Sequence, residues 1–176
     1  HLGNGAHVML PRHPNYIWDQ LAAEELWSSI IADGFHLPDN VLKVFIKVKG
    51  KKAILVSDAV FLGGMEPGEY VTRNGNQVVL EPSGRLSLKH QPKILSGSTS
   101  MLHEGVSNVV GKGIAELSEA WNMASIGPAA FMKLPAASGL AIGAPADLVL
   151  FHFLPQGNIR LVSTFLNGSK VWEEVP

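Results

Sequence analysis

Residues 28–59, SSIIADGFHLPDNVLKVFIKVKGKKAILVSDA, place two short apolar runs on either side of a longer amphipathic segment. The runs at 28–32 and 53–56 have the length and composition of buried strands. Between them, apolar residues recur at helical spacing, at Leu42, Phe45 and Val48. A strand, a helix and a second strand in this order predict a parallel α/β arrangement.

Similar patterns continue on both sides of this stretch. Upstream, residues 16–27 have the spacing of an amphipathic helix, and helical spacing returns downstream at 101–124. Strands are predicted at 148–153 and 159–165. They precede Asn167-Gly168, a strong signal for a two-residue hairpin turn.

At residues 66–92 the sequence pattern changes to short runs separated by closely spaced turn residues. Gly68, Asn74-Gly75 and Ser83-Gly84 separate short alternating runs, which predicts one or two antiparallel hairpins. The parallel strands predicted for the chain are too few to close a (β/α)8 barrel, which usually takes about 250 residues.

Composition narrows the functional classes. Of the 176 residues, 46% are hydrophobic and 16% are charged, which is ordinary for a globular protein with a buried core. With a formal net charge of -1, the chain lacks the excess of positive charge that is typical of proteins that bind nucleic acid or membrane surfaces. The absence of cysteine excludes disulfides and thiolate metal sites. The cluster of Lys49, Lys51 and Lys52 is expected to solvate the end of a helix.

The sequence begins at His1 without an initiator Met. This start indicates a fragment, a processed chain or a sequence that lacks upstream residues. No signal peptide is visible and no apolar run has the length of a membrane span, so we expect a cytoplasmic protein.

Three polar side chains follow or flank the predicted parallel strands, namely His1, His36 and Asp58. In parallel α/β barrels the chemistry sits at the C-terminal ends of the strands, so these residues are candidates for a site. Each also has a simpler interpretation, because a histidine after a strand is often a loop residue and an aspartate there often caps a helix.

Glycine-rich segments offer weaker candidates for anion binding. The loop Gly3-Asn4-Gly5 can turn backbone N–H groups toward an anion, and Arg12 can add a bidentate phosphate contact, although a plain turn explains the loop equally well. Ser96-Gly97-Ser98 either cradles a ligand at a helix N-terminus or caps that helix.

In combination, these segments resemble the N-acetylglucosamine-6-phosphate deacetylases of the amidohydrolase superfamily. The matching blocks, in order, are HLGNGA at 1–6, ADGFH at 32–36, LVSDA at 55–59 and LSGS at 95–98. Further agreement comes from Glu104-Gly105-Val106 and from Ala146-Asp147-Leu148, the latter being shared by many amidohydrolases.

The resemblance implies an α/β fold that is the C-terminal portion of a TIM (β/α)8 barrel, strands six to eight, plus part of a small β-sandwich. Residues 1–138 would belong to the barrel of a metal-dependent hydrolase, with a β-hairpin insertion at about 66–92. Residues 139–176 would belong to the β-sandwich, and we expect a homodimer.

The resemblance also assigns roles to residues. His1 matches a metal ligand and Asp58 the catalytic aspartate, while the substrate and its phosphate are held at positions matching Asn4, Gly5, Arg12 and His36. The cofactor would be a divalent metal, Zn first, with Fe, Mn, Co or Ni as alternatives, and its other ligands would lie on upstream strands.

The implied activity is metal-dependent removal of the acetyl group from an N-acetylated amino sugar phosphate, a small-molecule substrate. Gly3, Gly5 and Ala6 depart from the residues usual in the family, which leaves substrate identity open. The alternatives are another amidohydrolase, such as an N-acyl amino acid deacylase or a cyclic amidase, and a catalytically inactive fragment.

Overall fold

Helices and strands alternate in the first third of the chain in the computed structural model, which describes residues 1–175. The elements are, in order, helix α1 (Tyr16–Ala22), strand β1 (Ser28–Ile31), helix α2 (Asp39–Lys49) and strand β2 (Ala53–Val56). Strands β1 and β2 pair in parallel, with Ile30 opposite Leu55. Both strands are largely buried, as expected of parallel strands covered on both faces.

Helix α1 begins where its sequence predicts and ends earlier. The side-chain oxygen of Asn15 accepts hydrogen bonds from the backbone N–H groups of Ile17 and Trp18, which fixes the first turn. The predicted helix at 16–27 stops at Ala22, because Ala23 adopts an extended conformation.

Two lysines contact the chain beyond the end of α1. Lys49 Nζ donates to the carbonyl oxygen of Ala23 at 2.8 Å, and Lys52 Nζ donates to that of Glu24 at 2.7 Å. The prediction that the lysine cluster solvates a helix end is wrong for Lys49, which is buried.

Helix α2 turns an apolar face toward the parallel strands. Leu42 and Phe45 are buried, as their spacing predicts, but the next buried position is Ile46, whereas Val48 is 53% exposed. The buried face of α2 therefore follows helical spacing, with Ile46 in place of the predicted Val48.

A separate antiparallel sheet follows β2. Its strands are, in both chain and spatial order, β3 (Gly68–Val71), β4 (Gln77–Leu80), β5 (Leu86–Leu88) and β6 (Gln91–Leu95). Turns at Asn74-Gly75 and Ser83-Gly84 connect the first three strands. A small cluster of buried residues covers one face of the sheet, namely Leu62, Val78, Leu80 and Leu86.

Three further helices follow: α3 (Leu102–Gly111), α4 (Leu117–Ala124) and α5 (Ile126–Phe131). The main core joins buried residues of α3 and α4 to those of β1, β2 and α2. Those from α3 and α4 are Val106, Val109, Ala120 and Met123. The helical spacing at 101–124 thus corresponds to two helices, while α5 has no counterpart in the predicted elements.

The chain continues into a three-stranded antiparallel sheet of β7 (Leu148–Phe153), β8 (Ile159–Leu166) and β9 (Ser169–Glu173). Asn167 and Gly168 have positive φ angles of 48° and 79° and form the predicted turn between β8 and β9. Trp121 stacks on Phe151 with ring centroids 4.6 Å apart, which joins this sheet to α4.

The described part of the chain is therefore a mixed α/β structure with one parallel strand pair and two antiparallel sheets. No helix within residues 1–175 is long and apolar enough to cross a membrane. The assignment of strands to a barrel and the division of the chain at residue 138 stay predictions.

Candidate active site

The three side chains predicted at the strand ends lie together. Asp58 follows β2, His36 lies in the loop after β1, and Leu2, next to His1, donates its backbone N–H to Ser29 O of β1 at 2.9 Å. The Asp58 carboxylate lies between the two imidazoles. Its Oδ1 is 3.6 Å from His1 Nε2, and its Oδ2 is 3.8 Å from His36 Nε2.

The three side chains differ in their exposure to solvent. That of His36 is 5% exposed, whereas those of Asp58 and His1 are 27% and 35% exposed. A ligand approaching from solvent therefore meets His1 and Asp58 first, and His36 forms the rigid back of the site.

The loop after β1 is organised by Asp33. Its Oδ1 accepts the backbone N–H groups of Phe35 at 2.9 Å and His36 at 3.0 Å, and its Oδ2 lies 2.8 Å from His36 Nδ1. Burial by itself raises the pKa of Asp33, but the hydrogen bonds from His36 and Phe35 outweigh burial and lower the pKa to about 2. Asp33 is therefore ionised at neutral pH.

Asp58 adopts a backbone conformation that few residues tolerate. Its φ is 54°, in the left-handed region, and such conformations persist where the surrounding structure enforces them. The next residue, Ala59, forms a short parallel bridge with Ser98, and the two hydrogen bonds of this bridge hold the backbone on both sides of Ala59. Ser98 N donates to Asp58 O at 3.0 Å, and Val60 N donates to Ser98 O at 2.8 Å.

Gly97 makes this bridge possible. Its φ is 78°, and a Cβ at this position would lie 2.6 Å from Val60 Cγ1 and 3.3 Å from Asp58 O. The structure thus gives the segment Ser96-Gly97-Ser98 a place in the site that neither sequence interpretation included. It does not cap α3, which begins after Met101.

The predicted substrate-binding residues have different environments. The Asn4 side-chain amide lies 3.2 Å from His1 Nδ1, so it orients that ring with Nε2 toward Asp58. Gly5 has a φ of 70° and open space beside it. Arg12 is exposed, and within residues 1–175 its guanidinium makes no hydrogen bond or ion pair. The structure therefore brings Asn4 to the site and leaves the placement of Arg12 a prediction.

Comparisons with known proteins agree with this arrangement. No protein-family model matches the chain. An N-acetylgalactosamine-6-phosphate deacetylase of Shewanella sp. (strain ANA-3) is 30% identical over 150 residues, which are 85% of this chain and 37% of the relative. The N-acetylglucosamine-6-phosphate deacetylase of Vibrio furnissii is 28% identical over 98% of this chain and 42% of the relative. The chain thus spans about two fifths of the length of these relatives.

Solved structures give the same result. N-acetylglucosamine-6-phosphate deacetylase from Thermotoga maritima superposes with a TM-score of 0.74 at 26% identity, over 89% of this chain and 41% of its own. The enzyme from Pasteurella multocida gives a TM-score of 0.72 at 25% identity, over 85% of this chain and 38% of its own. The chain is similar to the C-terminal part of an N-acetylglucosamine-6-phosphate deacetylase. The resemblance found in the sequence is thereby confirmed.

The donor atoms of this deacetylase-like chain fit part of a metal site. Within residues 1–175 no three His, Cys, Asp or Glu side chains form a metal-binding group. His1 Nε2 and Asp58 Oδ1 are 3.6 Å apart, which suits two ligands about 2.0–2.2 Å from one tetrahedral ion. These two side chains therefore fit one side of a coordination shell, and further ligands would have to come from elsewhere.

The large cavities of the deacetylase-like chain do not coincide with this cluster. One of about 710 Å³ lies between α4, α5 and β7, and another of about 640 Å³ lies between α3 and the start of β8. Neither is lined by His1, His36 or Asp58. The candidate site is identified by its chemical groups and its place at the strand ends, not by enclosed volume.

Replacing Gly97 with alanine should disturb Asp58. The added Cβ would clash with Val60, and relieving such overpacking typically costs about 1–3 kcal/mol of unfolding free energy. Thermal unfolding of Gly97→Ala and Gly64→Ala measures this effect. Gly64 also has a positive φ, of 80°, but no atom lies within 4 Å of an added Cβ. Equal destabilisation of the two variants would contradict the proposed bridge contact.

Proposed function

We propose that the protein containing these residues is a metal-dependent hydrolase that removes the acetyl group from an N-acetylated amino sugar phosphate. The observation that carries the proposal is the Asp58 carboxylate, which lies between the imidazoles of His1 and His36 at the ends of parallel strands. The relatives named above, which act on N-acetylhexosamine 6-phosphates according to their names, support the substrate class.

Asp58 is suited to move the proton in amide hydrolysis. A carboxylate can accept the proton of the attacking water and then deliver it to the departing amine, which is otherwise a poor leaving group. Asp58 is exposed enough to meet a substrate, while its backbone carbonyl accepts a hydrogen bond from Ser98 N.

His1 would be the ligand that this chain supplies to a divalent metal. Neutral imidazole is a good ligand for zinc, iron and nickel, with zinc the first choice here. When bound, such an ion polarises the amide carbonyl and makes a water easier to deprotonate. Asn4 orients the His1 ring through Nδ1 and leaves Nε2 available for this purpose.

The remaining predicted residues would hold the sugar phosphate. Binding energy from a remote phosphate can position the acetamide for attack, and an arginine can bind it through two hydrogen bonds. Arg12 has a guanidinium without a protein partner among the described residues, and Gly5 leaves open space beside the loop. His36 completes the set from the buried side.

We further propose that β1 and β2 are the seventh and eighth strands of a (β/α)8 barrel, with His1 at the end of the sixth. The likeness in fold to N-acetylglucosamine-6-phosphate deacetylases supports this placement. A homodimer, and a part of a β-sandwich formed by residues 139–176, rest on the resemblance alone, while a cytoplasmic location stays an expectation from the sequence.

The test of the function is deacetylation of N-acetylglucosamine 6-phosphate and N-acetylgalactosamine 6-phosphate by the full-length protein. We expect turnover that disappears on chelation and returns with added zinc. Activity that survives complete metal removal would contradict metal dependence. If the folded, metal-loaded protein hydrolyses neither sugar phosphate but cleaves N-acyl amino acids or cyclic amides, the alternative amidohydrolase function is correct.

Asp58→Asn should lower kcat by about 100-fold or more, because general acid–base catalysis typically contributes factors of that size. Substrate affinity should change little, since asparagine preserves the shape of the side chain. Steady-state kinetics and calorimetric binding of the substrate measure the two effects. Asp39→Asn is the control, because Asp39 pairs with Lys112 on the surface. Near-normal kcat in Asp58→Asn would refute the proton-transfer role.

Arg12→Ala should raise KM for a phosphorylated substrate and leave kcat nearly unchanged, as expected for lost substrate binding. Helix α1 should stay intact, because Trp18 Nε1 bonds to the Arg12 carbonyl and not to its side chain. Kinetics with phosphorylated and unphosphorylated N-acetylglucosamine separate the phosphate contribution, with Arg73→Ala in the β3–β4 turn as the control. An unchanged KM for the phosphorylated sugar would reject the assignment.

A further inference from the structure

Behind His36 lies a buried carboxylate that the predicted catalytic roles do not use. The Asp33 side chain is 3% exposed, and both of its oxygens have partners. Oδ1 accepts the two backbone N–H groups of the loop, while Oδ2 faces His36 Nδ1 at 2.8 Å. No buried side-chain polar atom of the described residues lacks a hydrogen-bond partner, so this arrangement is complete.

An ionised carboxylate can only accept hydrogen bonds. The short contact to Asp33 therefore requires a proton on His36 Nδ1, whether the ring is neutral or charged. The other nitrogen, Nε2, points toward Asp58 Oδ2 at 3.8 Å, which is beyond the range of a hydrogen bond. Both Nε2 and Asp58 thus keep hydrogen-bonding capacity for a bound molecule.

We propose that Asp33 is a positioning residue of the deacetylase site: it fixes the orientation and the tautomer of His36, so that Nε2 is presented to the substrate beside Asp58. The proposal rests on the proposed function for the identity of the substrate. The geometry of Asp33 and His36 stands independently of it, because neither residue is a proposed metal ligand.

The loop that holds the pair also has an anchor that does not involve Asp33. Asn108 Nδ2 of α3 donates to Ala32 O at 2.9 Å, and the Asn108 side chain also lies against Gly34. Loss of loop position and loss of tautomer control can therefore be produced by separate substitutions.

The substitution Asp33→Asn keeps the shape of the side chain but replaces one hydrogen-bond acceptor with a donor. The retained oxygen should stay on the two backbone N–H groups, because the opposite orientation of the amide would place a donor against two donors. The new NH2 group then faces His36 Nδ1, which must become an acceptor, and the proton moves to Nε2. An analogous change of tautomer in serine proteases lowers kcat about 10⁴-fold, and loss of a partner that orients a ligating histidine costs about 10–100-fold.

The experiment is ¹⁵N NMR of the histidine rings in the full-length, metal-loaded protein, with His36→Gln to assign the signals. We expect a protonated Nδ1 in the parent and a protonated Nε2 in Asp33→Asn. The same variant should lose about 10–100-fold in kcat/KM for the sugar phosphate that the parent deacetylates. Asn108→Ala, which keeps the carboxylate, should retain the parent ring signals.

Other outcomes overturn the proposal. These are a parent ring without a proton on Nδ1, an Asp33→Asn ring that keeps that proton, or a loss of kcat/KM no larger than in Asn108→Ala. Even if the Asp33 variant does not fold, the parent spectrum shows whether His36 Nδ1 carries the proton that the proposal requires. If the parent deacetylates neither sugar phosphate, the proposed function fails, while the ring spectra still show whether Asp33 controls the tautomer.

Discussion

The parallel hydrogen bonding between β1 and β2 is the constraint on which the rest of the structure depends. Because the two strands run in the same direction, the loops that leave them emerge at one edge of the sheet, and His36 and Asp58 arrive there together. Alternate residues of the two strands, Ile30, Ala53 and Leu55, are buried in one cluster with apolar residues of α2, α3 and α4. The packing that makes the strands stable therefore also fixes the distance between the two polar side chains.

The spacing of apolar residues predicted those helices and strands whose buried face can be identified from their own residues. Strand β2 and the face of α2 that carries Leu42 and Phe45 follow from runs of apolar residues, and the meeting of His36 with Asp58 follows from parallel pairing. The features that were missed depend on contacts between distant positions. Lys49 bonds to the carbonyl oxygen of Ala23 across a wide sequence separation, and no pattern around residues 96–98 reveals that Gly97 packs against the strand end nearly forty positions earlier.

The site combines a rigid side with an exposed side. The side chains of Asp33 and His36 are almost completely buried and hydrogen-bonded to each other, whereas the loop from Gly5 to Arg12 is largely open to solvent. Gly3 sets where this loop begins, since a Cβ there would lie 3.0 Å from Phe45 Cε2, and its φ is 80°. The departures from the family pattern thus fall on the side where a substrate would be recognised. Asp58, the residue proposed to move protons, lies between this exposed side and the buried His36.

The left-handed backbone of Asp58 restricts which sequences this position can accept. Apart from glycine, asparagine and aspartate are the residues that most readily adopt positive φ. Glutamate would carry the same charge, yet it would bring backbone strain in addition to a longer reach. The positive φ and the proposed proton transfer are independent requirements, and both favour aspartate at this position. An evolutionary path that replaces the carboxylate would pass most easily through asparagine or glycine, and both would accept this backbone conformation while removing the carboxylate that is proposed to exchange protons.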